Sequence, residues 1–177
     1  MPVVDGKNID ILFTQEEIKE HNNIIAHDIA KTSPQNLLVL PILKGSFIFA
    51  ADLIRALHHE NIVSTVEFIT VSSYGAGKTS GDIKLLHDTE SDVKGRDILL
   101  VDDILESGKT LKYVRDLLLS RGANRVFIAV LLDKKMKRQV DINADFVGFS
   151  CPDEFVVGYG MDAAHAFRQL PYVGVIR

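Results

Sequence analysis

Three stretches of almost unbroken apolar residues, at 36–43, 96–103 and 125–133, constrain this chain more than any other feature. A strand with one face in water alternates apolar and polar residues, so a continuous run means burial on both faces. The first run, Asn-Leu-Leu-Val-Leu-Pro-Ile-Leu, passes through Lys44-Gly45-Ser46 into a helical pattern at 47–59, with Ser46 placed to cap it. The β-branched stretch 63–74 then returns as a strand. The second run leads into a helix over 110–122, with Leu111, Val114, Leu117 and Leu118 inward and Gly122 as its stop, before the third. Strands alternating with helices predict an α/β fold: a parallel sheet with helices on both faces and ligands beyond the carboxyl ends of its strands.

The flanks add less. Thr14 with Glu17 makes a capping box for a first helix, whose Ile18, Ile25 and Ile29 share a face until Pro34 ends it. After Lys134 the helical rhythm gives way to three short strands, at 145–149, 155–160 and 172–177, which suggest a small β-rich subdomain beside the sheet. At 177 residues the chain fits one domain, 1–177. Its net charge of −4 argues against a general nucleic-acid binder and makes a small metabolite the better partner. Cys151 stands alone, so no intramolecular disulfide forms. The N-terminus has no secretory pattern, and no apolar run approaches the roughly 18 residues that span a bilayer. A cytoplasmic protein without a membrane partner is the expectation. The six histidines show no zinc-site spacing.

Chemistry concentrates at Val-Asp-Asp-Ile-Leu-Glu-Ser-Gly-Lys-Thr, 101–110. A nucleotide-hydrolysing phosphate loop needs a glycine five residues before its Gly-Lys-Thr. Here Asp103 precedes Gly108 by five and Ser72 precedes Gly77 by five, so that route to ATP hydrolysis fails twice. Phosphate binding survives, because Ser107-Gly108-Lys109-Thr110 opens a helix and offers N–H groups, hydroxyls and the positive end of the helix dipole. Asp102 and Asp103 sit where two like charges 4 Å apart would repel by about 4 kcal/mol at an effective dielectric of 20. Carboxylates accept from sugar hydroxyls, and Mg²⁺ neutralises them where they meet phosphates. A sugar phosphate wants both halves of the stretch.

This stretch resembles the phosphoribosyl-pyrophosphate motif of the type I phosphoribosyltransferases. Leu-Lys-Gly-Ser at 43–46, Ser-Ser-Tyr at 72–74, Leu-Leu-Asp-Lys-Lys at 131–135 and Pro-Asp-Glu-Phe-Val-Val-Gly-Tyr-Gly-Met-Asp at 152–162, with Phe167-Arg168 after it, narrow the likeness to the hypoxanthine-guanine phosphoribosyltransferases. The resemblance implies the type I fold with a small β-rich hood, and a Mg²⁺-dependent exchange in purine salvage. A 6-oxopurine displaces pyrophosphate from phosphoribosyl pyrophosphate, giving a nucleoside 5′-monophosphate.

The resemblance also implies roles. Ser107, Gly108, Lys109 and Thr110 hold the 5′-phosphate, Asp102 and Asp103 face the ribose hydroxyls and metal, and Lys44 and Gly45 form the pyrophosphate loop, often with a cis Leu-Lys peptide in relatives. Lys44 and Arg168 clamp the leaving group, with Asp162 on the metal side. Lys134 donates to the purine 6-oxygen and so disfavours adenine, while Phe155 and Val156 contact the base. Glu106 stands where many relatives carry the aspartate that serves as general base toward purine N7, and Asp102 where a glutamate is frequent. Ser73 and Tyr74 lead into the glycine-rich segment 75–82, which relatives close over the reaction as a water-excluding lid. A homodimer or homotetramer is expected. Two other readings stay open at this stage: a nucleotide- and RNA-binding regulator on the same scaffold, and a xanthine-preferring transferase.

Overall fold

The computed structural model describes residues 1–73 and 83–177, without the side chain of Ser73. The predicted lid, with Tyr74 and 75–82, lies outside the described residues. Three strands form the centre of the main sheet: β3 (Leu37–Leu43), β7 (Asp97–Leu105) and β8 (Arg125–Asp133). They run parallel, β7 between the other two. On one flank β3 pairs with β4 (Ser64–Val66) along its first half and β5 (Ile69–Ser73) along its second, and β6 (Ile83–His87) adds an antiparallel edge. On the other flank β9 (Phe146–Ser150) continues the parallel set.

The alternation of side chains along these strands divides the core. Val39, Leu99, Val101, Ala129 and Leu131 pack under α1 (Gln15–Lys31) and α2 (Phe47–His59), while Leu38, Leu40, Ile98, Leu100, Ile128 and Val130 pack under α3 (Lys109–Ser120). Strands with both faces covered have no room for polar side chains, which is why the runs read as continuous. Thr14 caps α1 through the predicted box: its hydroxyl accepts from the Glu17 N–H at 3.2 Å, and Glu17 accepts from the Thr14 N–H at 2.8 Å.

Several expectations change. The stretch 63–74 is two strands, because the chain breaks at Glu67, whose carboxylate turns aside to accept from the N–H groups of Glu90 (2.8 Å) and Ser91 (3.2 Å). Ser46 does not cap α2; its buried hydroxyl donates to the Ile42 carbonyl at 2.5 Å. Helix α1 stops at Lys31, short of Pro34, and Leu117 is only half-buried. The stretch 145–149 joins the main sheet as β9, not the hood. The hood is instead an antiparallel sheet, β1 (Val3–Val4), β2 (Lys7–Phe13), β11 (Val173–Ile176) and β10 (Val156–Val157) in spatial order, so both chain ends build it. No helix of the described residues is long and apolar enough to cross a membrane.

Candidate active site

After β3 the chain moves outward to β4, β5 and β6, then returns to the other side of β3 as β7. The carboxyl ends of β3 and β7 therefore part at a switch point, where crevices form in open α/β sheets. A cleft of about 690 Å³ lies there. The end of β3 brings Lys44 and Gly45, the end of β7 brings Asp102, Asp103, Glu106, Ser107, Gly108 and Thr110, and the end of β8 brings Lys134. The hood side supplies Phe155, Val156, Asp162 and Arg168. Lys109 is the predicted residue of the phosphate turn whose side chain does not line the cleft. His165, Met161, Thr70 and Val71 line it without having been anticipated; His165 sits between Asp162 and Arg168 in sequence, the one signal that pointed its way.

Gly45 and Asp103 meet at the floor. A Cβ at Gly45 would fall on the Asp103 carboxylate, so only glycine lets the two loops approach this closely. The Leu43–Lys44 peptide is cis, and the Lys44 side chain is exposed at the rim. Burial and the Asp103 charge push the Asp102 carboxyl well above the usual carboxylate range. Burial raises Asp103 too, opposed by hydrogen bonds with Asp102 and the Ile104 N–H and by the Arg168 charge. Two adjacent acids with raised affinity for protons are suited to ligands that bring hydroxyl donors or cations.

Gly108 begins α3 with φ +82°, and a Cβ there would overlap Ile142, so the turn is closed to other residues. Lys134 is 5% exposed, not solvated as a lysine in a basic run usually is. Its ammonium donates to Glu106 Oε1 at 2.7 Å and to the Glu154 carbonyl at 2.7 Å. Phe155, 64% exposed, leaves much of its surface open to a ligand. Arg168 donates to the Gly160 carbonyl at 2.6 Å and pairs with Asp162 at 3.0 Å. Among the described residues no three metal-ligating side chains converge. Asp102, Asp103 and Asp162 are separate hard-oxygen donors around one cleft, which fits Mg²⁺, a cation that takes one or two carboxylates and fills its shell with water and substrate phosphates.

Comparison with known proteins agrees with this geometry. Residues 8–164 match the family model described as phosphoribosyl transferase domain. The chain is 47% identical to the hypoxanthine-guanine phosphoribosyltransferase of Lactococcus lactis, over 97% of this chain and 95% of the relative. It is 42% identical to the hypoxanthine phosphoribosyltransferase of Salmonella typhimurium, over 95% of each. Among solved structures, a hypoxanthine phosphoribosyltransferase from Trypanosoma cruzi superposes with a TM-score of 0.92 at 38% identity, covering 99% of this chain and 95% of that one. One from Staphylococcus aureus gives 0.89 at 38%, covering 95% and 91%. With the acidic pair, the phosphate turn and the buried lysine all in one cleft, the chain belongs to the phosphoribosyl transferase family, among its hypoxanthine-guanine phosphoribosyltransferases.

Proposed function

We propose that this protein transfers the 5-phosphoribosyl group from phosphoribosyl pyrophosphate to a 6-oxopurine in purine salvage, with hypoxanthine the first choice and guanine the second. The observation that carries the choice of base is Lys134, held buried beside Glu106 at the end of β8. An ammonium has donors and no acceptor, so a third N–H remains for a ligand oxygen after Glu106 and Glu154 have taken two. The adjacent carboxylate accepts. A donor and an acceptor 2.7 Å apart match the O6 and N7–H edge of a 6-oxopurine, whereas the 6-amino group of adenine would meet the ammonium.

In this reading the 5′-phosphate sits on the turn at Ser107, Gly108, Lys109 and Thr110, with Lys109 contributing backbone only, and the ribose hydroxyls reach Asp102 and Asp103. Purine N9 attacks C1′ as the bond to the pyrophosphate oxygen breaks and the leaving group departs with the electron pair. Glu106 takes the N7 proton. Lys44 and Arg168 stabilise the charge on the leaving oxygens, which is where fixed cations help most. Asp102 and Asp103 at the end of β7 and Asp162 on the hood side would each offer carboxylate oxygens to Mg²⁺, one or two to an ion, and the metal would supply further charge neutralisation on the pyrophosphate. Phe155 stacks on the base and Val156 closes its edge.

The test is a transfer assay with phosphoribosyl pyrophosphate and Mg²⁺, offering hypoxanthine, guanine, xanthine and adenine separately. Nucleotide formation from the oxo-purines with adenine inert is the expected result. Inactivity on all four overturns the reading. Xanthine turned over faster than hypoxanthine corrects the base. A cytoplasmic homodimer or homotetramer completes the proposal; the exposed Phe47 and Phe68 side chains support association, which light scattering checks, and fractionation checks the location.

A further inference from the structure

The segment that begins at Lys134 folds back across the phosphate turn as an arm. Three successive carbonyls, from Leu105 at the end of β7 into the turn, are taken by it. Leu105 O accepts from the Lys134 N–H at 3.0 Å, Glu106 O from Arg138 Nε at 3.0 Å, and Ser107 O from the Gln139 N–H at 3.0 Å. Arg138 fastens the arm at two further points: its guanidinium pairs with the Asp133 carboxylate, and Nη1 donates to the Ile142 carbonyl at 2.5 Å. This pair is sequestered, with Asp133 5% exposed and the Arg138 side chain 15% exposed. Ile142, Val140 and the Arg138 stem pack against Gly108 so closely that a Cβ there would overlap Ile142 and crowd the other two.

In a trans peptide the carbonyl of one residue and the N–H of the next point in opposite directions. Carbonyls 105, 106 and 107 turned toward the arm therefore aim the N–H groups of Glu106, Ser107 and Gly108 away from it. Successive N–H groups presented together make a concave anion site. The same clamp fixes Glu106 at both ends, its carbonyl on Arg138 and its carboxylate on Lys134.

We propose that Arg138 is a positioning residue for phosphoribosyl transfer: through the Asp133 pair and the Glu106 carbonyl it keeps the N–H groups of the turn aimed at the 5′-phosphate and the Glu106 carboxylate beside the purine. Arg138 itself does not line the cleft. The inference rests on the transfer reading above, but part of its test does not.

In Arg138→Met, which keeps the stem and removes the guanidinium, amide hydrogen exchange in a peptide covering 104–110 should speed up by about tenfold or more, as local opening becomes easier. This readout is independent of turnover. Unchanged exchange there overturns the proposal, whether or not the wild type transfers anything. With an active wild type, kcat should fall by about 10²-fold, the cost of misplacing a catalytic group by roughly 1 Å. KM for phosphoribosyl pyrophosphate should rise more than KM for the purine, which keeps its Lys134 and Phe155 contacts and loses only the alignment of Glu106. Added to Glu106→Gln, the same substitution should lower kcat by less than about threefold further, because the group it positions is already gone. Additive losses, or losses that merely track a falling folded fraction in thermal melts, sink the idea. Should Arg138→Met not fold, Asp133→Asn frees one end of the clamp and is judged by the same exchange and cycle. A wild type inactive on every base, with exchange still faster in the variant, sinks the transfer reading and leaves the arm standing.

Discussion

Lys134 Nζ lies 2.7 Å from Glu106 Oε1, although the two residues belong to different strand ends and are 28 positions apart in the chain. The pairing holds a buried ammonium in place and brings the proposed selector and the proposed base of the reaction together at one edge of the cleft. Lys134→Met keeps the bulk and removes the donors. Losing a hydrogen bond from a charged group costs about 1.5–3 kcal/mol, so kcat/KM for hypoxanthine should fall roughly 10- to 150-fold. The preference over adenine should shrink with it. Competition assays with the two bases measure this directly, and an unchanged ratio would remove Lys134 as selector.

Glu106→Gln retains a hydrogen-bonding side chain and abolishes the base. General-base help is typically worth about 10²–10⁴-fold, and kcat should drop within that range with hypoxanthine as acceptor. Full turnover by the variant would show that another group receives the N7 proton and that the extra methylene of this glutamate has moved it out of play.

Much of this site was legible in the sequence because it lies within short contiguous motifs at strand ends. The acidic pair, the phosphate turn, Gly45 and Lys134 all follow directly on buried apolar runs, and continuous burial is a pattern that one-dimensional reading handles well. What escaped has a common cause. The hood takes β1 and β2 from one chain end and β11 from the other, and its two-residue strands are too short for any periodicity to register. The stretch at β9 looked like its hood neighbours because its apolar alternation says nothing about which sheet it joins. Nothing in Lys-Lys-Met-Lys-Arg, 134–138, sets Arg138 apart; only the fold reveals that Lys135, Met136 and Lys137 are exposed while Arg138 turns inward onto Asp133 and the distant Glu106 carbonyl. Long-range polar contacts leave no local trace.

The close approach of Gly45 to Asp103 gives a steric prediction. In Gly45→Ala the new methyl group overlaps a carboxylate at the floor of the cleft, so either the β3 turn or the end of β7 has to move. Both carry groups assigned to phosphoribosyl pyrophosphate. KM for that substrate should rise about tenfold or more, equivalent to roughly 1.4 kcal/mol of lost binding. KM for the base should change little. Steady-state kinetics with each substrate varied in turn decides it, and an unaltered KM for phosphoribosyl pyrophosphate would mean that the loop relaxes without consequence.

Asp97, at the opposite end of β7 from the cleft, predicts how stability responds to acid. It is fully buried and accepts from Arg125 Nη2 at 2.6 Å, from the Gln35 N–H at 2.8 Å and from Asn124 Nδ2 at 2.7 Å. Arg125 first, then Gln35 and Asn124, hold its carboxyl at about 2, against an ordinary value of 3.8 and against the opposing effect of burial. An acid whose pKa is lower in the folded state stabilises the fold above its unfolded pKa, and that contribution disappears as pH falls from about 4 to about 2. At 1.36 kcal/mol per pKa unit the contribution is about 2 kcal/mol. Asp97→Asn should therefore unfold at lower urea than the wild type at pH 6, with the electrostatic part of the gap closing between pH 4 and pH 2. A gap that stays constant across that range would mean that Asp97 acts by shape and neutral hydrogen bonding alone.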